Sequence, residues 1–347
     1  MALPVRYGGL GVGNPVQECD WEYDASIKIT SGLKELIKRQ VQDYDLINFQ
    51  EIKESRKEVR HMKEGNMKEE YSQILEECDE RMKRQLELAQ EKGSSSWLTC
   101  LPLQHLGYCL NKQGFRDSLC LRYGWMIKGI PTYCACGTKS DVNHTLTCKK
   151  GGYVIMRHNA LRDLEAELLR EVCHDVRIEP VLLPTHQSFH ESSNSMENAR
   201  LDVSAIGLWA PFEKSYVDIR IFHPNAPSYI NKNLKQVYKE HESEKKRQYN
   251  DRVINVERGT FTPLIFSTFG GMGKECDAFR KRIAQMAAIK RDEKYGHVMN
   301  YIRTRISFAL LKSILVSLRG VRGREKYRDT RNRSQVSFNL IPGEDTE

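Results

Sequence analysis

The sequence predicts an α+β protein: a helical first half, a small Cys/His loop, and then a mixed sheet layered between helices, with extra helices at the C-terminal end. Three observations predict this. Apolar residues recur at three- and four-residue spacing through the early part of the chain, as in amphipathic helices. Cysteines and a histidine crowd into residues 134 to 148. From Gly151 onward the hydrophobic pattern runs helix, three strands, helix, strand, then two more helices.

A chain of 347 residues, 39% of them hydrophobic, suffices for two or three domains with a real core. Lys and Arg exceed Asp and Glu by 54 to 46, which permits a polyanionic partner without demanding one. Nowhere do roughly eighteen apolar residues run together, and M-A-L-P-V-R-Y-G-G lacks a signal-peptide pattern, so no membrane contact is expected. An intracellular protein with its ten cysteines reduced is the expectation.

The glycines of G-G-L-G-V-G, residues 8 to 13, mimic a phosphate loop, but no adequate strand precedes them and Asn14-Pro15 interrupts the helix that would have to follow. From about Ser26 to Lys92 the charged chain, with Leu33, Leu36, Ile37 and Val41 among its sparse apolar residues, predicts two or three helices broken near Gly65-Asn66. Their charge run reads first as a solvated face. Gly93-Ser94-Ser95-Ser96 reads as a linker, and Trp97 to Trp125 as packed helices leading into Gly129-Ile130-Pro131. Then follow a helix near 155 to 173 and strands near 175 to 183, 200 to 207 and 215 to 223. A helix near 231 to 252, a strand near 261 to 267 and helices near 274 to 290 and 294 to 318 complete the order. The basic segment beyond Arg319 has no apolar periodicity and is expected to be disordered.

Cys134, Cys136, His144 and Cys148 form a C-x-C-x7-H-x3-C array, three soft thiolates and an imidazole that suit tetrahedral zinc. Gly137 lets the backbone turn around the ion. Free thiols are the alternative, because the C-x-C spacing is tighter than the usual separation of paired ligands. A site closed by four protein ligands would be structural.

The stretch A-R-L-D-V-S-A-I-G-L-W-A-P-F-E-K-S-Y-V-D-I-R-I-F-H-P, residues 199 to 224, places one aspartate in each of two strands. Aspartate is depleted in strands and costly to bury unpaired, so Asp202 and Asp218 suggest a shared cation; exposed carboxylates on a wet face are the plainer reading. Alternation puts Arg200, Asp202, Ser204 and Ile206 on one face, and Tyr216, Asp218, Arg220 and Phe222 on one face of the next strand. Two such carboxylates favour magnesium or manganese. Glu165 shares a helical stripe with His158, Leu161, Leu168 and Val172, and is either a site acid or the partner of Arg162, with Glu179 the competing carboxylate. In the helix near 231 to 252, the line of Leu234, Tyr238, His241, Lys245 and Arg252 turns Lys245 toward the sheet and Lys246 away. Lys245 could position a water, or be a stem packed along the sheet with its head in solvent. Arg220, which stays protonated, suits phosphate clamping better than base work.

Helix, three strands, helix, strand, with an acid in each of the second and third strands, resembles the core of the PD-(D/E)xK restriction-like nucleases. L-P-V-R-Y-G-G-L-G-V resembles the end of the reverse-transcriptase region of non-LTR (LINE-type) retrotransposons. C-A-C-G with H-T-L-T-C resembles their zinc knuckle; R-H-N-A-L-R-D, R-L-D-V and Y-V-D-I-R-I resemble the endonuclease of their early-branching members, as do E-K-K-R-Q-Y and F-T-P-L-I-F-S-T-F-G-G-M-G. The resemblance covers most of residues 1 to 320 and implies a thumb-like helical region at 1–97. It further implies a helical segment ending in the knuckle at 98–150, a restriction-like endonuclease domain at 151–320 and a tail at 321–347. It also implies that Asp202 and Asp218 bind the catalytic metal, that Lys245 or Lys246 is the family's lysine moved to the following helix, and that the partners are DNA and element RNA in the nucleus. Leu201 stands where the family commonly has proline, and Arg220 where many nucleases have lysine. No Tyr/Phe-x-Asp-Asp turn occurs, so no polymerase activity is expected of this chain. The expected function is a magnesium-dependent DNA endonuclease; a catalytically inactive nucleic-acid-binding protein of the same origin is the alternative.

Overall fold

A computed structural model describes residues 3–40, 49–183 and 199–320. The chain divides into two compact units, Met1–Gln90 and Glu91–Glu347.

In the first unit a short turn of 3-10 helix, Val5–Tyr7, precedes α1 (Pro15–Lys38), α2 (Phe49–Glu77) and α3 (Glu80–Gln90). Asn14-Pro15 begins a helix instead of interrupting one. The Asn14 side chain caps α1 by accepting from the Val16 amide at 3.2 Å, and Pro15 occupies the first turn, where no amide donor is needed. Nor does Gly65 break α2, which runs through it. A Cβ there would meet nothing within 4 Å, so the glycine is a weak point in an exposed helix, costing about 1 kcal/mol against alanine, and not a boundary. Exposed pairs such as Lys28–Glu58 and Lys63–Glu22, each at 2.5 Å, join α1 to α2, in keeping with a solvated charged face. Val41 lies outside the described residues.

The second unit is an α+β fold. It contains α4 (Ser96–Thr99), α5 (Lys112–Tyr123), α6 (Val142–Thr147) and α7 (Tyr153–Val172), then β1 (His174–Ile178), β2 (Val203–Ile206) and β3 (Lys214–Phe222). After these come α8 (Leu234–Asn255), β4 (Thr260–Ser267), α9 (Lys274–Arg291) and α10 (Tyr295–Arg319). The Gly93 to Ser96 stretch is no free linker: Ser94 is buried, its hydroxyl donates to the Glu91 carbonyl at 2.8 Å, and a Cβ on Gly270 would meet the Ser94 Cα at 3.1 Å.

Among the described residues the sheet has four strands in the order β1-β2-β3-β4. The first three pair antiparallel, while β3 and β4 are parallel and therefore need the crossover that α8 supplies. Strand β1 is shorter than expected because Glu179 takes a left-handed backbone, φ 51°, which ends the extended run. Val203, Ala205, Val217, Ile219, Leu264 and Phe266 turn to one face and pack with α7, α9 and α10. Tyr216 and Phe222 turn to the other, where Tyr216 meets Val253, and Phe222 meets Tyr238 and His241, all three from α8. Pro263 is tolerated in β4 because an edge strand needs amide donors on one side alone. Helix α10 spans two cores. Ile302 and Ile306 join the sheet core; Phe308, Leu311 and Leu315 pack with Trp97, Leu121 and Leu146 in a second core beneath the Cys/His loop. No described helix is long and apolar enough to cross a membrane. The segment beyond Arg319 expected to be disordered lies, from residue 321 on, outside the described residues.

Candidate metal centre and carboxylate site

The Cys/His loop is a tight hairpin followed by a short helix. Gly137, at φ 89°, donates to the Cys134 carbonyl at 2.8 Å, and the Cys134 amide donates to the Thr138 carbonyl at 2.9 Å. These bonds bring both thiols to the same side of the turn, toward the other two donors. Asp141 then caps α6, accepting from the His144 amide at 2.6 Å, and the Cys148 amide closes the helix on the His144 carbonyl at 2.8 Å. Ligand atoms of Cys134, Cys136, His144 and Cys148 all lie within 4.8 Å of one another. Cys134 and Cys148 sulfurs are 3.8 Å apart, and the Cys136 sulfur is 3.3 Å from His144 Nε2. A tetrahedron with metal–sulfur bonds of about 2.3 Å has edges of about 3.8 Å, so the spacing suits zinc and the tight C-x-C pair contributes both of its thiols. Hydrogen bonds from the Thr138 side chain and amide bring the exposed Cys136 thiol down to about 6, favouring the thiolate that a metal needs. All ten cysteines are free of disulfides. This Cys3His cluster is consistent with a metal-binding site of the structural, four-ligand kind.

The second cluster gathers where β2 begins. Val203 pairs with Val217 and Ser204 with Tyr216, and one further step of that register sets Asp202 across from Asp218. Asp202 sits in a bend ahead of the strand, and there the side-chain alternation changes. Leu201 joins Tyr216 and Val253 in a cluster separate from that of Val203 and Ala205, with which alternation would have grouped it. Freed by the bend, Asp202 turns one oxygen to the Ile219 amide at 2.6 Å and to His158 Nε2 of α7 at 3.2 Å. Burial disfavours protonated His158, but the Asp202 carboxylate outweighs it and the imidazole pKa is raised. Asp218, 7% exposed, meets Lys245 of α8 at 2.6 Å. Its carboxyl is raised, first by burial; Lys245 pulls it down and the Asp202 charge pushes it up again. The Lys245 ammonium also lies over the Tyr249 ring, 5.5 Å from its centre.

The remaining candidates divide. Lys246 turns away to Glu275 at 2.6 Å, as the helical spacing requires. Arg220 pairs with Glu244 of α8 at 2.6 Å. Glu179 donates its amide to the Asp202 carbonyl at 2.9 Å, which fixes it beside the aspartate, while its carboxylate is taken by Arg162 and, at 3.6 Å, by Arg200. Glu165 is held elsewhere. It is 0% exposed and bonded to Arg280 of α9 at 3.3 Å, not to Arg162, so its buried charge is matched across the core and not along its own helix. Burial pushes its carboxyl up and Arg280 opposes.

No known protein family matches the chain, and no curated protein does. Sequence reasoning placed His158 on the right stripe but gave it no role, since its partner is an aspartate 44 positions away. It passed over Asn143, Arg157 and His223, whose contacts join the Cys/His loop to α7 and to the end of β3.

Proposed function

We propose that the second unit is a metal-dependent DNA endonuclease of the PD-(D/E)xK type, carried by a protein of non-LTR retrotransposon origin. The observation that carries this reading is a buried carboxylate, Asp218, set between the charge of Asp202 and the ammonium of Lys245 at 2.6 Å. A buried acid whose proton affinity is raised by burial and by the neighbouring Asp202 charge, paired with that neighbour, forms a donor set that a hard divalent cation relieves, which fits magnesium or manganese. When bound, such an ion supplies Lewis-acid polarisation of a phosphodiester and a more acidic water. Asp202 and Asp218 would hold it. The Ile219 amide and His158 keep the Asp202 carboxylate oriented. Lys245 would position the attacking water and offset charge on the phosphate, and Arg220, released from the exposed Glu244, would clamp a neighbouring phosphate. Glu179 stands nearer this cluster than Glu165 and is the better third acid.

The Cys3His loop and basic helices would grip duplex DNA, and in the same way element RNA, through phosphates, so affinity should fall steeply with salt. A nuclear location follows from that role. One observation favours the alternative of an inactive nucleic-acid-binding module: each aspartate already has a cationic partner of its own chain, His158 for Asp202 and Lys245 for Asp218. The deciding experiment is nicking of supercoiled plasmid with magnesium by the full chain and by Asp218→Ala. Nicking lost by at least about a hundredfold in the variant supports the endonuclease. Equal cleavage removes Asp218 from the chemistry, and none by either protein leaves the binding module.

A further inference from the structure

Asn143 lies beside the metal-ligating His144 on α6 and turns its side-chain oxygen to His223 Nε2 at 2.9 Å. The other ring nitrogen of His223 is 2.8 Å from the Thr268 hydroxyl. Since the asparagine oxygen can accept alone, Nε2 donates and Nδ1 accepts from Thr268, so a neutral imidazole, 3% exposed, joins α6 to the residue after β3 and to the loop after β4. Burial depresses the His223 pKa to about 4 and keeps it neutral.

A second bond runs from the same short helix. Arg157, also 3% exposed, donates from Nη2 to the Leu146 carbonyl at 3.1 Å. Its Nε and Nη1 are buried without an acceptor among the described residues, so Leu146 is what keeps this guanidinium from being wholly unsatisfied. Arg157 is followed directly by His158, which holds Asp202, and His223 immediately follows the strand that carries Asp218. The anchors of the Cys/His loop thus fall on α7, which supplies the His158 partner of Asp202, and just past β3, which carries Asp218.

We propose that Asn143, Arg157 and His223 are positioning residues through which metal loading at Cys134, Cys136, His144 and Cys148 orders the start of α7 and the end of β3. Loading fixes α6 between its ligands. Fixed, α6 offers one acceptor to each of two buried donors; unfixed, it leaves both without one. By linkage, whatever the metal adds to the order of α7 and β3, those elements add to metal affinity. The inference concerns order alone and stands whether or not the protein cuts DNA.

The test is amide hydrogen exchange on the full chain, reduced, either zinc-loaded or stripped by a chelator. Stripping should speed exchange across residues 153–160 and 216–223 by roughly ten- to hundredfold, the size expected when a buried donor loses its acceptor. Helix α9, in the same core but away from the loop, should change less than about threefold. Equal exchange with and without zinc at 153–160 and 216–223 overturns the proposal. Asn143→Ala guards against wholesale unfolding of the stripped protein. It should still give the tetrahedral thiolate spectrum with cobalt, bind that metal about tenfold more weakly, and lose most of the metal dependence at 216–223. If Asn143→Ala retains wild-type cobalt affinity and full metal dependence of exchange, the coupling does not run through this contact and the proposal fails.

Discussion

At the Cys3His loop, three thiols and an imidazole contact one another, whereas on the sheet each aspartate faces a base supplied by the chain, His158 for Asp202 and Lys245 for Asp218. The difference separates two ways of keeping like-charged donors together. A soft Cys3His donor set of this kind takes an ion from outside and holds it as part of the fold. Carboxylates matched by a lysine and a histidine of the same chain keep their geometry through those pairings and need no ion from outside to hold it.

The strongest way to break this contrast is to remove the soft site's metal. Chelation should forfeit on the order of 10 kcal/mol of binding free energy and unravel residues 134–148, while Cys148→Ser should lower cobalt affinity at least about a hundredfold, read by competition with a chromophoric chelator. Unchanged affinity would mean that Cys148 is no ligand. Next comes the sealed pair, Glu165 with Arg280. Glu165→Ala leaves a buried guanidinium uncompensated and should cost about 3–5 kcal/mol in urea unfolding, whereas replacing both by methionine should come close to neutral. Were Glu165 a site acid, the double variant would instead lose nicking at full stability.

The smallest effect has the opposite sign. The Asp218 carboxyl is raised in the fold, so the folded chain binds that proton more tightly than the unfolded one. Its stabilising contribution is full below the ordinary carboxylate pKa of about 4 and is lost as pH rises through the folded value. Asp218→Asn, neutral at every pH, should therefore gain stability at neutral pH by less than about 1 kcal/mol and flatten the acid side of the profile, measured by urea unfolding between about pH 4 and 8. A loss at neutral pH would show that the Lys245 attraction outweighs burial.

Much of the second unit was legible in the sequence because its signals are local. Alternation located β3, three-and-four spacing located α7 to α10, and the helical angle separated Lys245 from Lys246. What escaped was non-local or was decided by packing. Arg280 lies 115 positions from Glu165, so no window of sequence could prefer it over Arg162. Gly65 and Asn14-Pro15 were read as breaks from residue type alone, yet a glycine in open space need not end a helix, and a proline in the first turn begins one. The bend at Asp202 interrupts the period-two pattern at the one residue whose direction mattered most.

The parallel pairing of β3 with β4 bears also on the route by which the chain reaches its native state. Contacts distant in sequence form late, because loop closure must precede their reward. The thiols and imidazole of the Cys/His loop are near neighbours along the chain and can meet before any sheet exists, whereas Asp218 is sealed against Lys245 once α8 has crossed over and β4 has docked. The carboxylate pair on the sheet is therefore among the last features to mature, and a nascent chain brings its Cys/His cluster together before it brings Asp218 to Lys245.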